Sequence, residues 1–210
     1  MRIGIIFSNS SNIGNIQKAI LYLGHDPILV SDKKAIPKLS HLVIPGVGSF
    51  HKMMKFLKEN ELDTSIIDGA NNDLKILGIC LGMHLLFESS NEFGTTKGLN
   101  LLKGNVKKIR TVNNKKNQVP NLGYHKIYKK FTRNGYTPFN QFEKKSFYFA
   151  HSYNVNNFNE KDNELYTIDF ENKEILAFIK QNRISGCQFH PELSGEIGLE
   201  FLKTFINYTN

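Results

Sequence analysis

A cysteine between two glycines is the feature of this 210-residue sequence with the most evident chemistry. The apolar run that ends in Gly78-Ile79-Cys80-Leu81-Gly82 indicates a buried strand that turns directly into a helix. Such a turn is a nucleophile elbow, here with cysteine instead of serine, and larger side chains at the two glycine positions would collide with neighbouring backbone. A helix N-terminus also stabilises the thiolate. The alternative is a structural cysteine between two packing glycines.

A cysteine nucleophile needs a base, and the sequence QFHPE at residues 188–192 offers one. His190 ends a predicted strand and could take the thiol proton, then protonate a leaving amine. Glu192 stands two residues later and could orient the imidazole. Taken alone, a histidine in this position is more often a strand-end residue bonded to backbone.

The reaction also needs donors for a developing oxyanion, and PGVGSF at residues 45–50 directly follows a predicted strand. Glycines in this loop let backbone N–H groups point into a pocket without obstruction by side chains. The predicted oxyanion hole consists of the N–H groups of Val47, Gly48 and Leu81. The loop is not a dinucleotide-binding fingerprint, because His51 occupies the place of the third glycine.

Composition excludes several other classes of protein. Two cysteines cannot form a disulfide framework or a four-thiolate zinc site, and the other histidines lack metal-ligand spacing, so we predict neither metal nor cofactor. No apolar stretch approaches the roughly 18 residues of a membrane span, and no signal-peptide pattern opens the chain, which predicts a cytoplasmic protein. The net charge of +8 could favour nucleic acid. The lysines are spread out, however, so we predict a solvated basic surface without nucleic-acid or membrane binding.

The elements that must position these residues alternate in the first part of the chain. Continuous apolar strands at residues 2–7, 27–30, 41–44 and 75–79 are interleaved with helical patterns, which favours a parallel sheet covered on both faces. Further strands are predicted at residues 105–112, 146–155, 164–168, 175–180 and 184–189, and a closing helix at about 196–208. Nothing resembles an interdomain linker. We therefore predict one α/β domain over residues 1–210, with a mainly parallel central sheet and extra antiparallel strands in the second half.

The three motifs together resemble the signatures of class I (triad) glutamine amidotransferases. Longer stretches at residues 81–90, 119–124, 147–153 and 192–195 resemble, in order and spacing, the glutaminase subunits of imidazole glycerol phosphate synthase within that family. The resemblance covers essentially the whole chain. It implies a flavodoxin-like amidotransferase domain with a catalytic triad of Cys80, His190 and Glu192.

The resemblance implies that the protein hydrolyses glutamine to glutamate and ammonia through a thioester. The ammonia would pass to a (β/α)8-barrel cyclase subunit, its partner in a heterodimer, which makes imidazole glycerol phosphate and an aminoimidazole carboxamide ribotide in histidine biosynthesis. Glu92 stands where the family contacts the α-amino group of glutamine, and the Ser152-Tyr153 backbone where it contacts the α-carboxylate. The residues that the resemblance assigns to glutamine are Gly46, Gly48, His84, Glu92, Ser152 and Tyr153.

Several positions depart from the family pattern. His84 replaces the glutamine that is usual four residues after the nucleophile, and it either bonds substrate or packs. At the predicted partner interface and ammonia gate, Asn15 matches the family, whereas Gln118, Asn121 and Tyr124 replace the common lysine, histidine and tryptophan. Two alternatives follow, a paralogous glutaminase that feeds a barrel enzyme in surface-sugar amidation, and a γ-glutamyl cysteine hydrolase. A degenerate, non-enzymatic domain is disfavoured because the triad is intact.

Overall fold

The fold is a mixed eight-stranded sheet with helices on both faces and two smaller sheets at its side. The structure, a computed structural model, describes residues 1–8, 13–46, 48–110, 119–130, 137–161 and 163–208. The strands are β1 (Ile3–Ile6), β2 (Ile28–Val30), β3 (His41–Ile44), β4 (Lys75–Ile79), β5 (Ser89–Ser90), β6 (Thr96–Lys97), β7 (Asn105–Lys108), β8 (Asn121–Lys126), β9 (Tyr128–Lys130), β10 (Ser146–His151), β11 (Tyr153–Asn156), β12 (Glu164–Phe170), β13 (Lys173–Gln181) and β14 (Ile184–Cys187). The helices are α1 (Gly14–Tyr22), α2 (Phe50–Glu59), α3 (Leu62–Asn71), α4 (Leu81–Leu85) and α5 (Gly195–Asn207), with 3-10 turns at Lys33–Lys38, Pro138–Phe142 and Pro191–Leu193.

Five strands of the large sheet are parallel, in the order β2-β1-β3-β4-β14. They are short and apolar because both of their faces are covered. In this order β4 lies between β3 and β14, so the carboxyl ends of these three strands share one edge of the sheet. The predicted oxyanion loop, the cysteine elbow and the QFHPE segment each follow one of these ends.

The second half of the chain extends the sheet with antiparallel strands, as predicted. β13, β12 and β9 continue the large sheet beyond β14, and the smaller sheets are β10-β8 and β11-β7-β5-β6. The single strand predicted at residues 146–155 is wrong. It breaks at Ser152, so that β10 pairs with β8 and β11 pairs with β7.

The core lies on the two faces of the large sheet. Buried side chains of α1 and α5 cover one face, and those of α2, α3 and α4 cover the other. The first face includes a cluster of aromatic rings in which Phe147 of β10 stacks on Phe189, with ring centroids 4.1 Å apart. This stacking fixes the backbone on either side of Phe189, and therefore also the residue that follows it, His190.

The predicted elements of the first half agree with the structure to within a few residues at their ends. The strands β8 and β9 were not predicted, because their sequences alternate polar and apolar residues only weakly. The helix predicted after Cys80 is short and stops at Leu85. None of the helices in the described ranges combines the length and the apolar character that a membrane span requires.

Candidate active site

Cys80 occupies a strained turn between β4 and α4. Its φ of 52° and ψ of −110° lie in a region that a residue with a side chain rarely adopts. The flanking glycines allow the turn, because a Cβ atom on Gly78 would lie 2.5 Å from the carbonyl oxygen of Gly82. A Cβ atom on Gly82 would lie only 1.7 Å from the carbonyl oxygen of Ile44. These close approaches are the ones that a nucleophile elbow requires.

His190 reaches Cys80 because β14 is the parallel neighbour of β4. The chain leaves β14, and the His190 N–H donates to the carbonyl oxygen of Tyr148 at 2.8 Å, which anchors the histidine between β14 and β10. Its imidazole hydrogen-bonds with the Cys80 side chain, and its Nδ1 lies 2.8 Å from Oε1 of Glu192. The structure therefore brings the three predicted catalytic side chains into one hydrogen-bonded chain.

The three histidines around the sulfur differ in charge. Burial alone would lower the pKa of His190, but its hydrogen bonds to Cys80 and Glu192 outweigh burial and raise the pKa to about 10. Burial lowers the pKa of His84 to about 4 and that of His151 to about 3, because neither has an acidic partner. At neutral pH only His190 is a cation, so it alone can form an ion pair with the thiolate.

The sulfur also has polar neighbours outside the triad. Gln188 Nε2 lies 3.7 Å from Cys80 Sγ, and Gln188 Oε1 lies 2.6 Å from His84 Nε2. The Cys80 thiol donates to the carbonyl oxygen of Ala150 at 3.9 Å. The second cysteine, Cys187, is free and buried in β14.

Cys80 and His190 line a cavity of about 490 Å³. Its walls come from the turn after β4, from α4, β10 and β11, from the oxyanion loop and from the segment after β14. The lining residues in the described ranges are Gly46, Gly48, Cys80, Leu81, His84, Glu92, Pro120, Tyr148, Ala150, His151, Ser152, Tyr153, His190 and Leu193. All six residues that the sequence assigned to glutamine therefore line one cavity with Cys80 and His190.

Glu92 joins this cavity to the oxyanion loop. Its Oε2 accepts a hydrogen bond from the Phe50 N–H at 2.8 Å, at the first residue of α2. The Ser90 hydroxyl oxygen accepts from the Glu92 N–H at 3.1 Å and holds the carboxylate in place. Desolvation first, and then the charge of Glu92, raise the pKa of Tyr153 across the cavity. Glu92 thus supplies a negative charge at the wall that carries Gly48.

Two of the three predicted oxyanion donors can be located. Gly48 has a φ of +109°, which favours glycine, and it lines the cavity beside Leu81. Leu81 opens α4, where an N–H group has no helical carbonyl partner. The third predicted donor, Val47, lies outside the described residues.

The predicted interface residues occupy different environments. Asn15 is exposed on α1, and Tyr124 is 61% exposed with its hydroxyl donating to the carbonyl oxygen of Leu193 at 3.0 Å. Asn121 is fully buried instead, and its Nδ2 lies 2.9 Å from His151 Nε2. Its side chain therefore supports a cavity histidine rather than the surface, because β8 turns that face toward β10. Gln118 lies outside the described residues.

Sequence reasoning missed three residues around the sulfur, namely Gln188, Tyr148 and His151. Gln188 stands inside the QFHPE motif, two residues before His190. This closeness to the predicted base was the sequence feature that could have identified it. Tyr148 and Ala150 alternate with buried Phe147 and Phe149 along β10, so a period of two predicts that they share the opposite face. No group of three His, Cys, Asp or Glu side chains in the described ranges could hold a metal ion.

A second cavity, of about 630 Å³, adjoins the first one at Gly48. Its described lining residues are Ser8, Gly48, Ser49, His51, Lys52, Met53, Phe56 and Phe93. It contains no residue of the Cys80–His190–Glu192 chain. The cavity of about 490 Å³ that contains Cys80 and His190 is therefore the candidate active site.

Known proteins similar to this chain are amidotransferases. The family model for glutamine amidotransferase class-I matches residues 6–207. The chain is 40% identical to imidazole glycerol phosphate synthase subunit HisH of Caldanaerobacter subterraneus subsp. tengcongensis, over 97% of this chain and 96% of that protein. It is 39% identical to HisH of Lactococcus lactis, over 98% of this chain and 98% of that protein. It is 38% identical to a protein named HisH 2 of Methanococcus maripaludis, over 97% of this chain and 98% of that protein.

Two solved structures share the fold. A crystal structure of a glutamine amidotransferase aligns with a TM-score of 0.72 at 16% identity, covering 98% of this chain and 99% of that one. The glutaminase domain of Trypanosoma brucei CTPS with bound acivicin aligns with a TM-score of 0.63 at 14% identity, covering 100% of this chain and 95% of that one. The predicted α/β fold, with a mainly parallel sheet and helices on both faces, is confirmed.

Proposed function

The chain belongs to the class-I glutamine amidotransferase family, and we propose that it acts as the glutaminase subunit of an imidazole glycerol phosphate synthase. The observation that carries this proposal is the hydrogen-bonded chain from Cys80 through His190 to Glu192 in a cavity of about 490 Å³. The near full-length identity to HisH proteins supports the subunit assignment.

The proposed reaction begins from the ion pair of the Cys80 thiolate and the His190 imidazolium, in which the thiol proton already lies on the imidazole. The thiolate attacks the side-chain carbonyl carbon of glutamine, and the N–H groups of Val47, Gly48 and Leu81 stabilise the oxyanion. The imidazolium then protonates the leaving nitrogen, so that the C–N bond breaks and ammonia departs from a thioester. A water molecule gives a proton to His190 and attacks the thioester, which releases glutamate and restores the pair of thiolate and imidazolium.

Glutamine orientation follows from the charges along the cavity. The carboxylate of Glu92 attracts the α-ammonium group, while backbone at Ser152 and Tyr153 faces the α-carboxylate. Gly46 lets the oxyanion loop pack against the start of α4 beside Cys80, since a Cβ atom on Gly46 would lie 2.3 Å from the Gly82 nitrogen. His84 stands one helical turn after Cys80 and closes the wall behind the sulfur.

The proposed partner is a (β/α)8-barrel cyclase subunit of the HisF type, which receives ammonia before bulk water can protonate it. The relatives' description as a synthase subunit supports a partner of this kind. We propose that the exit lies near Tyr148 and Leu193, beneath exposed Tyr124, and that Asn15 and Gln118 contact the barrel. The proposed setting is the cytoplasm, where Cys80 stays reduced.

The experiment that tests this proposal replaces the nucleophile. Cys80→Ala should lower glutamine hydrolysis to the background, a loss of at least about 1,000-fold, because no other group can form the thioester. The partner complex of this variant should still make product from ammonium salts. Cys187→Ala is the matched control, because it removes a buried thiol that the reaction does not use. Unchanged glutamine consumption by Cys80→Ala would falsify the nucleophile assignment.

A second candidate function is favoured by the surface around β8. Leu122 and Tyr124 are 64% and 61% exposed there, and Tyr124 departs from the family pattern on this surface. A paralogous glutaminase that feeds a barrel enzyme of surface-sugar amidation would carry such changes.

Co-purification of the complex from its native cell separates the two candidates. The captured barrel is assayed with ammonium salts, and either an imidazole product or an amidated sugar identifies the acceptor. An imidazole product would remove the second candidate, and an amidated sugar would remove the first.

A further inference from the structure

The Cys80 sulfur has a polar neighbour that the glutaminase reaction just described does not use, the side-chain amide of Gln188. Its Nε2 lies 3.7 Å from Sγ, within reach of an N–H···S hydrogen bond, and the side chain is fully buried. The backbone of Gln188 is held as well, because its N–H donates to the carbonyl oxygen of Ala177 at 2.8 Å. The amide therefore has a fixed position beside the nucleophile.

His84 contacts the oxygen end of that amide, while the nitrogen end faces the sulfur. Gln188 Oε1 lies 2.6 Å from His84 Nε2. An amide oxygen can only accept, and burial lowers the pKa of His84 to about 4, so the neutral ring must carry its proton on Nε2. The NH2 end of the amide consequently points at Sγ. His84, which departs from the family pattern, thus holds the Gln188 amide with its nitrogen toward the sulfur.

The two contacts that the sulfur makes outside the triad favour opposite protonation states. The carbonyl oxygen of Ala150, at 3.9 Å, accepts a proton from the thiol and stabilises the neutral form. The amide of Gln188 donates, and a donor stabilises the thiolate more than the thiol. The helix that follows Cys80 has only five residues, so local donors matter more here than a helix dipole.

We propose that Gln188 is a catalytic hydrogen-bond donor to the Cys80 thiolate, and that His84 is a positioning residue which holds the amide in the donating orientation. This deepens the proposed glutaminase and rests on it. After the thiol proton has moved to His190, the charge left on sulfur accepts the Nε2–H of Gln188. The amide keeps its proton throughout the cycle, so no further co-reactant is needed.

The titratable groups that face the sulfur come from four segments. After β14, His190 lies beside the sulfur, and Glu192 contacts the far side of its ring. On α4, His84 contacts Gln188, and at the end of β10, His151 lines the cavity. Cys187, the last residue of β14, directly precedes Gln188. Burial raises the pKa of the Cys187 thiol well above its ordinary value, so this thiol stays neutral. His84 and His151 are neutral for the same reason, which leaves His190 and Gln188 as the groups that stabilise the thiolate.

The test is the pH dependence of Cys80 alkylation by iodoacetamide in the full chain, with the modified residue identified by mass spectrometry. Gln188→Met keeps the volume and removes the donor, so the acid limb of the profile should move up by about one unit. The matched control is Met83→Leu, a buried change on the same helix, which should leave the profile in place. Superimposable profiles of Gln188→Met and the native chain would overturn the proposal.

A second pair of variants tests the positioning residue and remains decisive if Gln188→Met does not fold. His84→Leu should raise the acid limb in the same direction, because the amide is then free to turn its oxygen toward sulfur. His84→Gln should restore the native profile, since its amide nitrogen can donate to Gln188 Oε1. No shift in His84→Leu, or no restoration in His84→Gln, would contradict the role of His84.

This readout is independent of glutamine turnover. If the native chain and its partner did not hydrolyse glutamine, the proposed function would fail while the alkylation profiles remained interpretable. If turnover were normal and the profiles did not shift, only the donor role of Gln188 would fail.

Discussion

At the scale of single residues, protonation is decided by the partners of each histidine. His190, His84 and His151 all border one cavity and are all buried, yet only His190 has a carboxylate within 2.8 Å. Its pKa rises to about 10 while those of His84 and His151 fall to about 4 and 3. One histidine is therefore prepared for proton transfer, and the other two serve as neutral hydrogen-bonding groups.

The pKa of His190 leads to a prediction about pH dependence. The imidazolium form protonates the leaving nitrogen, so glutaminase activity should fall on the alkaline side as His190 loses its proton near pH 10. Glu192→Gln removes the negative charge that helps to raise this pKa. The alkaline limb should then move to lower pH by about one unit, measured as glutamate release against pH.

Glu196→Gln is the control for this shift, because Glu196 is exposed on α5 and does not contribute to the raised pKa of His190. Its profile should match that of the native protein. An alkaline limb that stays in place in Glu192→Gln would show that Glu192 does not set the basicity of His190.

At the scale of elements, the site depends on how closely β3, β4 and α4 approach one another. The carbonyl oxygen of Ile44 in β3 would lie 1.7 Å from a Cβ atom on Gly82 in α4. The Ile44 carbonyl cannot move aside as a flexible side chain can, because β3 is held in the sheet between β1 and β4. The glycine is therefore a requirement of packing as well as of the turn.

This contact predicts the effect of Gly82→Ala. Forcing β3 and α4 apart should lower the free energy of unfolding by about 3 kcal/mol and displace Cys80 from His190. Thermal unfolding and glutamine hydrolysis should both reveal the change.

Gly69→Ala provides the comparison for this variant. A Cβ atom on Gly69 in α3 would meet chiefly the flexible end of the Leu74 side chain, at 2.7 Å, and alanine is the better helix former. Equal stabilities of the two variants would contradict the packing argument.

At the scale of the whole molecule, the cavity lies next to a partly apolar exposed surface. Tyr124 packs edge-on against Tyr148, with ring centroids 5.4 Å apart, and Tyr148 lines the cavity. Tyr148 therefore contacts both the cavity around Cys80 and the exposed ring of Tyr124. The organisation of residues 1–210 as one domain stays a prediction, as does the barrel partner.

The exposed tyrosine predicts how the partner docks. Tyr124→Ala should weaken binding to the barrel subunit by about 30-fold, because exposed aromatic side chains commonly dominate interfaces. Isothermal titration calorimetry of the two purified subunits measures the change.

Tyr22→Ala is the matched control, since Tyr22 is 79% exposed at the far end of α1. It should bind the partner as the native chain does. Equal losses in both variants would indicate that Tyr124 has no specific role at the interface.

The sequence alone determined the parallel strands of the first half and the elbow at Cys80, and it predicted the three triad residues. These features depend on local patterns, such as continuous apolar runs and glycines at fixed spacing, which the chain carries whatever lies around it. The sequence did not reveal the break at Ser152, the burial of Asn121 or the strands β8 and β9. Those depend on pairings between segments far apart in the chain.

Only the tertiary structure decided the chemistry around the sulfur. That Gln188 donates to Cys80, that His84 orients it, and that one histidine of three is charged all follow from which groups are buried together. Spacing along the chain cannot provide this information, because burial and hydrogen-bond partners arise only when β4, β10 and β14 are brought side by side.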